Sequence, residues 1–388
     1  MKEFPKFSIV TPSLNQCAYI EETIRSVISQ EGDFEIEYLI MDGGSTDGSV
    51  EIIRRYAELV GDGAFGIRCR GVTLHWRSEK DSGQSDAINS GLRSATGEYA
   101  AYINSDDVYL PGAFAVVARS FRQYTDAAIL YGDGDVIDQN GVLQWEWLSR
   151  PYNHRVMTTY HFLWNDFTNY IMQQSTFWRT SVHQRLGLFD ETFHFAMDVE
   201  YWIRAGAEGL KLVHIPSKLA GFRMIQGTKS LSSPIVFWSE SLEIFRRYRG
   251  ARKLYRYLGY YLFNLAKYRE WNLDAARTEA EAALRSWMSC SGRERRLIEK
   301  QYQRAYALAC LLIANELQRE GAYDRASVFV ARGLRSAPGV IVRPGGVYPV
   351  LKQMVGASAG AFLDKVRDRF VKRYRAVRFD YRYHQRSS

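Results

Sequence analysis

The chain has 388 residues, 46% hydrophobic and 24% charged, a composition of soluble globular proteins with apolar surface enough for at least one full core, and far from that of a disordered chain. Its formal charge of +8 hides a division: residues 1–230 carry 21 Lys and Arg against 29 Asp and Glu, a net of −8, and residues 231–388 carry 30 against 14, a net of +16. A uniformly basic protein is thereby excluded, and attraction to phosphate-rich partners is assigned to the last 158 residues. No run of 18 apolar residues occurs, and MKEFPKFSIV lacks the apolar stretch of a signal peptide, so the expectation is a cytosolic protein. Cys17, Cys69, Cys290 and Cys310 lie far apart without C-x-x-C spacing, which points to reduced, mostly buried thiols rather than a disulfide framework or zinc site.

In chain order, the first 140 residues alternate β-rich apolar runs with helical patterns, the signature of βαβ units and a mainly parallel sheet. The pattern predicts a buried strand at Lys6–Pro12, a helix at Ala18–Gln30 carried by Ile20, Ile24, Val27 and Ile28, and a strand at Glu35–Asp42. That second strand runs into Gly43-Gly44-Ser45-Thr46-Asp47-Gly48, whose glycines permit close backbone approach. A strand at Val72–Arg77, a helix at Ser85–Ala95 and a strand at Tyr99–Asn104 follow, with polar residues gathered at the carboxyl ends of the strands, where open α/β sheets bind ligands. Tyr131–Gly141 reads as strand, turn, strand, and a helix is expected at Asp198–Gly206. Asp133 and Asp135 imitate a metal motif but read better as part of that turn, and His183, His194 and His214 read as structural.

Near Glu240 the composition shifts to Arg, Tyr, Ala and Leu with helical period, so the expected domains are 1–240, α/β, and 241–388, basic and all-α. Within the second, Asn272–Ser286 aligns with Ala322–Ser336 at an offset of 50, a pattern of tetratricopeptide type or simply of two Ala-rich helices. Over Ala361–Tyr383, Leu363, Val366, Phe370, Tyr374, Val377 and Tyr381 step by three or four among basic residues, the pattern of an amphipathic helix suited to an anionic membrane surface.

The sharpest chemical signal is Asn104-Ser105-Asp106-Asp107 at the end of an apolar strand. Adjacent carboxylates there repel unless a cation neutralises them, and one or two carboxylates plus substrate phosphates is how Mg²⁺ or Mn²⁺ is held. An Asp-rich turn capping the next helix is the competing explanation. Four segments decide for the metal: Ser8–Asn15, Met41–Ser49, Asp86–Gly91 with Ala95–Glu98, and Asn104–Asp107 resemble, in order, the successive motifs of family 2 glycosyltransferases. The resemblance implies a GT-A fold, Rossmann-like with flanking helices, a nucleotide-sugar donor, Mn²⁺ or Mg²⁺, and transfer with inversion at the anomeric carbon.

By motif match, Thr11 and Pro12, with Asn15, would line the nucleoside pocket, Asp42 would accept a hydrogen bond from the base, Asp106 would be the main metal ligand, and Asp107 or Asn104 would help it. Asp81, in Glu79–Gln84, would touch the donor, with Ser105 beside it and Asp86 near its ribose. Gln173–Arg179, Gly187–Glu191 and Ala196-Met197-Asp198 resemble the acceptor-side segment, whose acidic pair ends in the catalytic base. Here Met197 replaces the first acid, so Asp198 alone keeps the role; a helix cap is its ordinary alternative. Gln174 and Trp164 are the acceptor candidates, among the aromatic residues Trp145, Trp147, Tyr152 and Tyr160. Arg223 and Lys229 are cations suited to a diphosphate, in a loop with Ile225 where relatives often carry His.

The resemblance makes a saccharide or lipid-linked saccharide the expected acceptor, at the inner face of the cytoplasmic membrane. Two alternatives stay open. A sugar-phosphate nucleotidyltransferase needs a Gly-rich, Arg-containing loop after the first strand, which Thr11-Pro12-Ser13-Leu14-Asn15 lacks, and a sugar-binding protein without catalysis is suggested by Asn104, Met197 and Ile225. Nucleic acid is not an expected partner, since the basic residues of the tail form no recognition motif.

Overall fold

The computed structural model describes residues 4–158, 171–225, 234–249, 254–288 and 292–340. Contacts divide the chain into two units, Met1–Glu240 and Ser241–Ser388.

The first unit is built on one mixed sheet. Strands β1 (Lys6–Ser13), β2 (Gly32–Asp42), β3 (Cys69–Ser78) and β4 (Tyr99–Tyr102) alternate with helices α1 (Ile20–Ile28), α2 (Ser49–Gly61) and α3 (Gln84–Ser94). Then come β5 (Val108–Tyr109), α4 (Ala113–Gln123), β6 (Ile129–Ile137), β7 (Leu143–Trp147), α5 (His154–Met157), β8 (Thr176–Arg179), α6 (Ser181–Leu186), α7 (Met197–Ala207) and β9 (Leu212–Arg223). The order across the sheet is β3-β2-β1-β4-β8-β6-β9-β5, with β7 hydrogen-bonded to β6 outside this path.

Every pairing among β3, β2, β1 and β4 is parallel, so four βα turns open at one edge. Beyond β4 the pairings of β8, β7 and β5 are antiparallel, and only β6–β9 is parallel. The expected mainly parallel sheet is therefore parallel in its first half and mixed in its second, where the short β6–β7 connection makes an antiparallel hairpin. Asp133 and Asp135 lie within β6, not in a turn: Asp133 accepts from the Ser149 N–H and pairs with His214 Nε2 at 2.8 Å, and Asp135 pairs with Lys218 at 2.7 Å.

Two aromatic clusters hold this unit. Phe7 meets Phe34, Phe114 and Phe177 with ring centroids 5.0–6.1 Å apart, joining β1, β2, α4 and β8. Trp178, Phe189, Tyr201 and Trp202 form the second, which seats α7 against β8. A fully buried ring of this kind contributes about 2–3 kcal/mol relative to exposure. Of the thiols, Cys310 is buried but Cys17 is exposed, contrary to the expectation of burial.

Helix α8 (Pro234–Arg249) spans the division between the units, and the second unit continues with α9 (Leu254–Tyr268), α10 (Leu273–Met288), α11 (Arg293–Arg319) and α12 (Tyr323–Ser336). The α9–α10 and α11–α12 turns share hydrogen bonds at the offset of 50: Ala276 N–H to Asn272 O matches Ala326 N–H to Ala322 O, and Leu273 N–H to Trp271 O matches Tyr323 N–H to Gly321 O. Small residues let the helices meet closely; a Cβ on Gly259 of α9 would stand 2.8 Å from Leu308 of α11. Among the described residues no helix is long and apolar enough to cross a membrane. The amphipathic stretch at 361–383 lies outside the described residues.

Candidate active site

The four βα turns of the parallel half bring residues 13–17, 42–48, 78–83 and 103–107 to one edge of the sheet. Thr11 and Pro12 are buried at the end of β1, and the Thr11 hydroxyl meets the Tyr38 hydroxyl at 3.0 Å. Thr11 thus packs inside the sheet. Asn15, exposed with φ +52°, receives the Thr46 N–H on Oδ1 and gives its own N–H to Ser45 Oγ, tying the first turn to the second.

Asp42 is 2% exposed, and its oxygens accept four hydrogen bonds: Gly44 N–H at 3.0 Å, Ser45 N–H at 2.8 Å, Ser78 Oγ at 2.6 Å and Ser45 Oγ at 2.5 Å. A carboxylate offers about four lone-pair positions. Through these bonds the carboxylate shapes the Gly43–Gly48 turn. Asp81 stands against that turn, so close that a Cβ on Gly43 would lie 2.8 Å from Asp81 Oδ2, while its Oδ1 accepts the Gly83 N–H. Asp86 accepts the Ser82 N–H at 3.0 Å, an ordinary capping role.

The carboxylates of Asp106 and Asp107 part company. Asp107 is fully buried; Oδ1 accepts the Arg223 backbone N–H at 2.8 Å, and Oδ2 accepts Gln174 Nε2 at 2.9 Å and Asn104 Nδ2 at 3.1 Å. It joins three chain segments. Gln174, at 7% exposed, is a partner of Asp107. Ser105, directly before Asp106, is buried in the same turn.

Asp106 is half-buried, and among the described residues no side chain donates to its carboxylate. Burial raises its pKa above the ordinary value, although its own backbone N–H and the Arg223 charge act in the other direction. Burial, then the Asp106 charge, raises Asp107 further. One half-buried carboxylate without a side-chain donor, its neighbour hydrogen-bonded into the fold, suits a divalent cation completed by phosphate and water oxygens. Among the described residues no three His, Cys, Asp or Glu side chains cluster into an all-protein metal cage.

Arg223 is 1% exposed and donates entirely into the protein: Nε to Asp106 O at 2.8 Å, Nη1 to Asp138 O and Gln139 O at 3.1 and 3.2 Å, and Nη2 to Glu22. In this arrangement Arg223 is a bracket that holds the Asp106–Asp107 turn. Lys229 and Trp164 lie outside the described residues, as does Tyr160. Trp145 is 44% exposed on β7, Trp147 packs edge-on to Phe222, and the Tyr152 hydroxyl is engaged by His154 and Trp202 O.

Asp198 falls in the first turn of α7 but not at its cap; the cap position is Ala196, which makes no side-chain cap bond. Asp198 is thus not the cap residue itself, but its carboxylate serves a first-turn amide of the same helix. Its Oδ1 receives the Val199 N–H at 2.7 Å. Two consecutive residues that the motif reading passed over tie it to the donor-side turn. Gln84 Nε2 donates to Asn104 Oδ1 at 2.6 Å, and Ser85 Oγ contacts Phe193 O at 3.1 Å and Met197 Sδ at 2.7 Å. Tyr102, at the end of β4, feels both ends: burial first, then the Asp198 and Asp107 charges, raise its phenol. Beside this bridge a cleft of about 470 Å³ opens between the start of α3 and residues 188–194, with Ser82, Asp86, Asp190 and His194 on its walls.

Residues 8–186 match the family described as Glycosyl transferase family 2. This segment is a family 2 glycosyltransferase domain. The segment lies on a mixed sheet with flanking helices, and a helical region follows it in the chain. The chain is 32% identical over 131 residues to a PGL/p-HBAD biosynthesis glycosyltransferase of Mycobacterium bovis, covering 33% of this chain and 46% of that protein. It is 28% identical over 206 residues to an uncharacterized glycosyltransferase of Mycobacterium tuberculosis, covering 53% and 70% respectively. Among solved structures, the mannosyltransferase PcManGT from Pyrobaculum calidifontis in complex with GDP-Man and Mn²⁺ aligns with a TM-score of 0.47 and 16% identity over 88% of each chain. The chain spans about half the length of the curated relatives it matches first, 46%.

Proposed function

We propose that the first unit transfers a sugar from a nucleotide-sugar donor to an acceptor hydroxyl with inversion, using Asp106 for the metal and Asp198 as general base. The observation that carries this reading is the Gln84–Ser85 bridge, which joins the turn bearing Asp106 to the helix start bearing Asp198. Donor-side and acceptor-side residues thereby face one site.

The turns at 13–17, 42–48 and 78–83 receive the nucleoside, with Asn15 and Asp81 at their rims, and Asp42 and Asp107 keep the turns in shape. Asp106 would hold Mn²⁺ or Mg²⁺, whose chemistry is to neutralise charge on the departing diphosphate. The acceptor saccharide enters from the cleft beside α3, and Asp198 takes the proton of its hydroxyl as the oxygen bonds to the anomeric carbon. The bond from that carbon to the diphosphate breaks, and the diphosphate leaves with the electron pair. A lipid-linked acceptor at an anionic membrane surface accords with the charge of +16 on residues 231–388.

The test is nucleoside-diphosphate release from a panel of UDP-, GDP- and dTDP-sugars, with Mn²⁺ or EDTA and with or without mixed oligosaccharide acceptors. Release that depends on metal and rises with acceptor is expected. Asp198→Asn should keep nucleotide binding and lower transfer by at least about 10²-fold; near-normal turnover would remove Asp198 from the base role.

A further inference from the structure

Ala196, the cap position of helix α7, has no side chain that can accept a hydrogen bond, and among the first-turn amides Val199 N–H is taken locally by Asp198 Oδ1. Buried N–H groups at and before a helix start require acceptors. For Ala196 and the two residues before it the acceptor is remote in sequence. Glu240, on α8 and within the first unit, takes the His194 N–H on Oε1 at 2.7 Å and the Phe195 and Ala196 N–H groups on Oε2 at 2.7 and 2.8 Å. Three consecutive amides converging on one carboxylate make an anion nest, and the negative charge also faces the positive end of the α7 dipole. Among the described residues no Lys or Arg pairs with this carboxylate, so its contacts are those three amides.

The capped amides lie two to four residues before Asp198. On the other side Ser85 contacts Phe193 O and Met197 Sδ, so residues 193–197 are held between α3 and Glu240. The body of α7 is seated separately: Tyr201 and Trp202 are fully buried in the aromatic cluster. Loss of Glu240 therefore frees the start of the helix without unseating the rest.

We propose that Glu240 is a positioning residue, clamping the cap residue of α7 and the two residues before it and so setting where Asp198 stands. The inference rests on the reading of Asp198 as general base. An error of about 1 Å in a reacting group costs on the order of 10²-fold in rate, so Glu240→Gln and Glu240→Ala are expected to lower kcat about 10- to 100-fold. Affinity for nucleoside diphosphate with Mn²⁺ should stay within about twofold, because the donor turns do not touch Glu240.

The experiment combines amide hydrogen exchange and kinetics on the full chain for wild type, Glu240→Gln, Glu240→Ala and Asp198→Asn. The expected result is faster exchange at 194–196 in both Glu240 variants, little change in the sheet, and a fall in kcat at constant nucleotide affinity. Unchanged exchange at 194–196 overturns the cap. Faster exchange with unchanged kcat, while Asp198→Asn abolishes transfer, overturns the positioning role and leaves the base reading standing. Faster exchange with full transfer in Asp198→Asn removes the base reading and the positioning role together, and leaves only a structural cap. Global loss of exchange protection in Glu240→Gln, the near-isosteric variant, also overturns the proposal, because it shows a residue needed for the whole fold.

Discussion

Arg223→Met separates a bracket from a donor ligand. Met approximates the length of the side chain and stays apolar at a position 1% exposed. Four donated hydrogen bonds disappear, to Asp106 O, Asp138 O, Gln139 O and Glu22. They do not count equally. Glu22 is 57% exposed and Gln139 is exposed, so both recover hydration and the Glu22 ion pair is worth little. The Asp106 carbonyl, left without its charged donor inside the turn, costs about 1–3 kcal/mol, and the half-buried Asp138 carbonyl about 1. The total is roughly 3 kcal/mol. At 2–4 °C per kcal/mol for a domain of this size, the melting temperature should fall by roughly 6–12 °C without any ligand. Nucleotide binding with Mn²⁺ should weaken as well, since the turn that carries Asp106 loses its bracket. Differential scanning calorimetry of the apoprotein and titration calorimetry with nucleoside diphosphates read both effects. If the apoprotein melts at the wild-type temperature while nucleotide binding is lost, the guanidinium acts on the diphosphate and the reasoning is wrong.

Two further outcomes concern neighbouring turns. Gly43→Ala would put a Cβ 2.8 Å from Asp81 Oδ2; this loop carboxylate can shift, so stability should change by under about 1 kcal/mol while nucleotide affinity drops about 5- to 10-fold, and unaltered affinity by calorimetry would count against a donor-side role for Asp81. Glu37, 5% exposed, accepts from Lys6, Ser8 and Thr96. Burial pushes its carboxyl up, but the hydrogen bonds outweigh burial and hold it below the ordinary 4.5. A depressed folded value means that its stabilisation is present above pH 4.5 and disappears as pH falls through the folded value. Glu37→Gln should thus cost about 1–3 kcal/mol in urea unfolding at pH 7 and much less near pH 3; an equal loss at both values would contradict the assignment.

The parallel half of the sheet was legible because buried strands and the helices between them leave plain periodic patterns, and β1 to β4 lie within a few residues of the expected bounds. Motif order placed Asp42, Asp81, Asp106 and Asp107 at strand ends. It did not say which way a carboxylate turns. Asp42 and Asp107 are occupied by partners such as Ser78, Gln174 and the Arg223 backbone, and the last two lie 67 and 116 residues from Asp107. Neither periodicity nor motif spacing encodes such pairings. Glu240 was equally hidden in an amphipathic helix 44–46 residues from the amides it caps. The one local hint was a helix beginning at Ala196-Met197 without Ser, Thr, Asp or Asn at its cap.

The Arg223 bracket also bears on when the site comes into being. Glu22 and Arg223 are 201 residues apart, and Asp106 and Arg223 are 117 apart. Contacts this distant close large loops and form late, after local helices and hairpins. During synthesis the turns after β1, β2 and β3 emerge first, but the Asp106–Asp107 turn cannot be locked until β9 has left the ribosome, nor the residues before α7 until Glu240 follows. A fragment ending at residue 186, where the family match stops, would carry every donor motif and still lack both locks. On the proposed reading, the smallest working piece of this protein would extend past its recognisable family segment into helix α8.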